Sequence, residues 1–196
     1  KVQHYGCAAL CNLAVNNDNN RVMIADAEGI YIILSAMSIH SSNADVQQYG
    51  CGALWNLALK NENNKNTIVA EGGITTILSA MKTNSSNEKV QENGCGALLN
   101  LALKNDNYKK TIVAEGGITT ILSAMNNHSS NGKVQGNGCG ALWNFALNDN
   151  YKKSIVAEKG ITTILSAMNN HSSNEKVKEY GRAALKNLDL NENNKV

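Results

Sequence analysis

Cysteine and histidine are the residues here that could hold a metal or do covalent chemistry, and both recur at fixed intervals. Cys7, Cys51, Cys95 and Cys139 stand 44 residues apart, and Arg182 takes the next such place. His40, His128 and His171 recur in an "HSS" segment, with Asn84 at the remaining one. Shared metal ligation needs donors converging at about 2 Å from one ion, and a disulfide needs Cα atoms within about 7 Å. One residue per interval, on helices packed about 10 Å apart, meets neither condition. Cys7 and Cys11 share a helical turn, but their Cβ directions do not suit a bridge. The cysteines therefore read as small core residues of a reducing compartment, the cytoplasm or the nucleus, and the histidines as turn residues. Neither a metal nor a cofactor is expected. Asn84, Asn127 and Asn170 open N-x-S sequons, which matter only in a secreted protein. "AEGG" lacks the lysine and hydroxyl of a phosphate loop. With no nucleophile–base pair or carboxylate pair set apart from the pattern, an enzyme is not expected.

A second recurring side chain can bind without reacting. Asn12, Asn56, Asn100, Asn144 and Asn187 form a column within "N-L-A", "N-F-A" or "N-L-D". A side-chain amide both donates and accepts hydrogen bonds. A column of them could pair with the main chain of an extended peptide, or each could tie its own helix to a neighbour.

These columns follow from an internal repeat. Val2, Val46, Val90 and Val134 open related segments 44 residues apart, and Val177 follows after 43. That period lies in the range of HEAT and armadillo units. In the unit 64–104, "NNKNTIVAEGG" reads as a short helix closed by glycines able to take positive φ. "ITTILSAM" is a second helix, with Ile74, Ile77, Leu78 and Met81 at helical spacing. "NEKVQENGCGALLNLAL" is a third, apolar at Val90, Gly94, Ala97, Leu98, Leu101 and Ala102. No stretch sustains the alternation of a strand. Roughly one residue in six is Asn, clustered where helices should end, since Asn tolerates left-handed backbone and bonds it locally. The recurring Gly50, Gly94, Gly138 and Gly181 predict close approach of a neighbouring helix.

"IVAEGGITTILSAM…VQENGCGALLNLA" resembles the armadillo repeat, whose pattern is "I-V-x-x-G-G-I-x-x-I-L-x-x-M…V-x-x-x-G-C-x-A-L-x-N-L-A". It is especially similar to the variety found in arrays within large multidomain proteins such as leucine-rich repeat kinases. The resemblance implies an all-α, right-handed α-α superhelix with three helices per repeat. The chain reads as one array: an orphan third helix at 1–15, repeats at about 20–60, 64–104, 108–147 and 151–190, and the start of another at 191–196. Both ends fall inside the pattern and no polar cap is visible, so a fragment is expected.

The resemblance also implies that the third helices line a groove in which the Asn column contacts peptide. Nuclear-signal-binding armadillo proteins carry Trp four residues before the Asn. Here Ala8, Gly52, Gly96, Gly140 and Ala183 stand there, so binding of basic nuclear signals is not expected. Trp55 and Trp143 instead precede the Asn directly. Either the Gly column leaves room for a bulky partner side chain flanked by these indoles, or the indoles pack on their neighbours. Tyr49, one turn further back, belongs to the same face. Lys89, Lys133 and Lys176 favour an acidic partner unless they are merely a solvated helix start, and Glu92 and Glu179 oppose them.

The expected function is a scaffold holding an extended peptide or partner segment. The competing reading is a structural spacer or regulatory arm, contacting further repeats or domains of its own parent chain. With a formal charge of +2 and no basic stripe, nucleic acid is not expected as a partner. No apolar run approaches the ~20 residues of a membrane span.

Overall fold

The computed structural model describes residues 1–188 of the chain, so the segment 191–196, read as the start of a further repeat, lies outside the described residues. All regular structure among the described residues is helical. The chain divides into two compact units, 1–101 and 102–196.

The first unit opens with a single helix, α1 (Val2–Ala14). Two triplets follow. The first comprises α2 (Asp18–Asp26), α3 (Gly29–Ile39) and α4 (Ala44–Leu57). The second comprises α5 (Glu62–Ala70), α6 (Gly73–Thr83) and α7 (Glu88–Ala102). In the second unit the triplets are α8 (Asp106–Ala114), α9 (Gly117–Asn127) and α10 (Gly132–Phe145), then α11 (Asp149–Ala157), α12 (Gly160–Asn170) and α13 (Glu175–Asn187). Third helices pack on third helices, α1 on α4 and α10 on α13, while α3 meets α6 and α9 meets α12.

Asparagine starts the helices. The side chains of Asn17, Asn61, Asn105 and Asn148 each accept from a main-chain N–H in the first turn of a first helix. Asn43, Asn87, Asn131 and Asn174 do the same for the third helices. An amide oxygen here satisfies a donor that the helix itself leaves unpaired.

First and second helices are separated by one left-handed residue. Gly72 and Gly116 hold φ of 75° and 82°, whereas Glu28 and Lys159 take the same conformation at 58° and 60°. The glycine that follows is needed for a different reason. A Cβ on Gly73 would lie 2.4 Å from Ile68 Cγ2 and 2.6 Å from its carbonyl oxygen, and Gly160 meets Ile155 in the same way. Hence the first glycine of the pair is replaceable at a strain cost, and the second is retained in all four triplets.

The core of each triplet is aliphatic. Ile74, Ile77, Leu78 and Met81 from α6, with Val90, Leu98 and Leu101 from α7, are all buried. Gly50, Gly94, Gly138 and Gly181 are where the third helix touches the second: a Cβ there would come within 2.5–2.6 Å of Cγ of Met37, Met81, Met125 and Met168. The close approach read from their recurrence is present.

Candidate functional site

The third helices carry the sequence-predicted residues. The Asn56 amide donates through Nδ2 to the Cys11 carbonyl at 3.2 Å, and Asn100 donates to the Trp55 carbonyl at 3.0 Å. Each amide thus bonds the main chain of the preceding third helix, 45 residues back. Asn56 remains half-buried and Asn12 exposed, whereas Asn100 and Asn144 are buried. In the second unit the Nδ2 of Asn187 is buried with no hydrogen-bond partner among the described residues.

The space above Gly96 is already filled. A Cβ on Gly96 would lie 2.5 Å from Cε2 of Trp55, so the indole lies flat against the backbone of the next third helix. Over Gly52 the nearest atoms are Cys11 Sγ at 3.0 Å and Asn93 Nδ2 at 3.1 Å. Gly140 is buried. Trp143 stacks on Tyr180, with centroids 5.7 Å apart and planes 29° from parallel. Both indoles therefore pack on neighbouring residues of the chain while keeping part of their surface accessible. The physical reason is area: an indole with no partner sheds apolar surface by lying on the nearest flat backbone.

Tyr49 is half-buried against Cys7, Ala36 and Val46. It stacks with His4 at 5.2 Å, and His4 Nδ1 lies 3.6 Å from Asp45. The lysines of this face are engaged. Lys89 pairs with Glu92 at 2.9 Å, and Lys176 donates to Asn137 Oδ1 at 2.8 Å while lying 5.8 Å from the Tyr180 ring centroid.

Cys7, Cys51, Cys95 and Cys139 are buried free thiols. Burial pushes the Cys51 and Cys139 thiols up to about 12. Such thiols stay protonated and are poor nucleophiles.

Three sets of interactions escaped the sequence reading. Gln47, Gln91 and Gln135, buried on the third helices, each donate to two carbonyls that end the preceding second helix; for Gln135 these are Met125 and His128, at 2.7 and 3.0 Å. Buried Arg21, Lys65 and Lys109 pair with Asp18, Glu62 and Asp106 one turn earlier. The "HSS" turns tie neighbours together, since Asn84 Nδ2 donates to the Ser41 carbonyl at 3.0 Å and His171 Nε2 lies 2.7 Å from that of Ser129. The available signal was a polar residue recurring on a buried stripe.

Among solved structures the chain is similar to an engineered protein from the Northeast Structural Genomics Consortium, with 24% identity and a TM-score of 0.83, over 95% of this chain and 74% of that one. It is also similar to a computationally designed armadillo repeat protein for modular peptide recognition, with 19% identity and a TM-score of 0.79, covering 92% and 73%. A designed armadillo repeat protein in complex with the peptide (KR)4 shares 16% identity at a TM-score of 0.76, covering 92% and 72%. No curated protein matches. The all-α armadillo fold expected from the repeat is therefore the observed one, a non-enzymatic scaffold type that generally mediates protein and peptide binding. The family profile described as LRRK2 ARM repeat spans residues 1–194, and the chain belongs to that family.

Proposed function

We propose that the third-helix face of the first unit holds an extended segment of another protein. One observation carries this reading. The Asn56 amide, held through one N–H on the Cys11 carbonyl, stays partly accessible beside half-buried Trp55 and Tyr49. An anchored amide keeps its oxygen for a peptide N–H, and flanking aromatics supply apolar area at low entropic cost. The partner's main chain would meet Asn56 and its side chains would meet Trp55 and Tyr49. On the second unit, an acidic segment would meet Lys176 beside Tyr180 and Trp143. We assign the chain no catalytic role and place it in a reducing compartment, in keeping with its free thiols.

The test is selection of extended peptides against the whole chain, followed by titration with Trp55→Ala, Tyr49→Ala and Asn56→Ala. At least a tenfold loss of affinity at unchanged helicity is expected for each. Affinities indifferent to all three would reject the assignment. The spacer reading draws on a different observation, that Asn100 is buried and bonded to the Trp55 carbonyl. Under it the chain selects no peptide, and Asn100→Ala lowers only stability.

A further inference from the structure

The repeats act as controls for one another, and two neighbouring positions of the first triplet depart from the rest. Glu28 stands where later repeats have Gly72, Gly116 and Lys159, and Tyr31 where they have Thr75, Thr119 and Thr162. Glu28 keeps a side chain at a φ of 58°, which glycine adopts without strain. Both departures line one hollow of about 340 Å³, together with Ala25, Ile30, Thr67 and Glu71. That volume lies at the small end of ligand-sized clefts. The hollow sits between the α2–α3 bend and the end of α5, so successive triplets of the first unit form its two walls.

The chemistry of the lining is one-sided. Ala25, Ile30 and the 59% exposed Tyr31 supply apolar surface, and the polar side chains beside them are mainly acceptors. Thr67 donates its hydroxyl to the Asn63 carbonyl at 3.1 Å, which leaves its oxygen to accept. Glu28 and Glu71 are exposed, and neither pairs with a cation among the described residues. The acids that open the first helices differ, since Asp18 pairs with Arg21 and Glu62 with Lys65. No basic residue lines the hollow. A divalent metal needs about six oxygens, and no three His, Cys, Asp or Glu side chains come together to hold one among the described residues. An ammonium is a compact charge that keeps its water, whereas a guanidinium is weakly hydrated, carries donors along every edge and no acceptor, and stacks on aromatic rings.

We propose that this hollow receives an arginine side chain of a partner protein. The guanidinium lies on the Tyr31 ring and gives its N–H groups to the Glu28 and Glu71 carboxylates, with its stem beside Ala25. The hollow shares no residue with the third-helix face around Asn56, so the two sites stand or fall separately.

Heteronuclear NMR of the whole chain, titrated with acetyl-arginine methylamide, tests this. Saturable shifts are expected at the amides of residues 28–31 and 67–72, and added salt should weaken them. Acetyl-citrulline methylamide has nearly the same shape without the charge and should bind at least fivefold more weakly, as should the lysine analogue. Glu28→Gly and Tyr31→Thr install residues that the chain itself uses at these places, and each should weaken arginine binding at least fivefold. Glu28→Gly should at the same time raise the urea midpoint, which separates lost binding from lost folding. No saturable shift with arginine, equal shifts with citrulline, or binding indifferent to either variant overturns the proposal. Equal affinity for the lysine analogue overturns the assignment to a guanidinium.

Discussion

Replacing Gly96 by Ala asks whether the Trp55 indole is part of the seam between third helices. Alanine gains about 1 kcal/mol over glycine in a helix interior. Against that, the new Cβ would lie 2.5 Å from Cε2 and 2.6 Å from Cδ2 of Trp55. Overpacking of this kind costs about 1–3 kcal/mol. G96A should therefore lose up to about 2 kcal/mol net. Gly52 is the internal control, because a Cβ there meets only Cys11 Sγ and the Asn93 amide, at 3.0 and 3.1 Å. These are ends of side chains rather than a ring face, and the Asn93 amide is held on the Gln48 carbonyl at 2.7 Å, so G52A should cost less than G96A. Urea denaturation followed by circular dichroism reads the stabilities. Tryptophan emission in a Trp143→Phe background reads the indole, which should shift to the red in G96A as it is driven into water. Adding Trp55→Leu to G96A should recover stability, since Leu99 serves at the equivalent position. Equal stability and equal emission for G96A and G52A would refute the packing argument.

Lys159→Gly and Glu28→Gly should each stabilise the chain by about 1 kcal/mol, by relieving left-handed backbone at a side-chain-bearing residue; chemical denaturation checks this. Gln135→Leu should cost about 2 kcal/mol or more, because it strands the buried ends of α9 at the Met125 and His128 carbonyls. His171→Asn should keep its repeat-to-repeat bond, as Asn84 does with Ser41, while His171→Ala loses about 1 kcal/mol in the same assay. Alkylation of the native protein should reach half-buried Cys11 first and Cys51 and Cys139 only on unfolding. The folded state raises those two thiols from 9.0 to about 12, so their contribution to stability is complete below about pH 9 and is lost as pH rises towards 12. A flat stability profile across that window would contradict their burial.

Much of this architecture is local, and local structure is legible in one chain. An Asn before the first and third helix of each triplet caps an N–H of the first turn, and between first and second helices one residue takes positive φ, glycine at 72 and 116, ahead of a glycine that allows a close approach. Both devices act within one turn, so their spacing shows in the residues themselves. The third-helix glycines could be read as contacts because they recur on one stripe, although their methionine partners could not be named.

The candidate site was legible only in part, and the reason is distance along the chain. The sequence determined which residues form columns: the amides from Asn12 to Asn187, the thiols, the glycines and the two tryptophans. The tertiary structure alone decided what each column faces. The partners of Asn56 and Asn100 lie 45 residues away, on the main chain of another helix. The Trp55 indole rests on Gly96, one repeat along. A period places equivalent side chains on one face, but it leaves open whether that face meets water, a ligand or the next repeat. Stacking settles this, because the lowest-energy place for an amide or an indole depends on the carbonyl or flat backbone brought beside it.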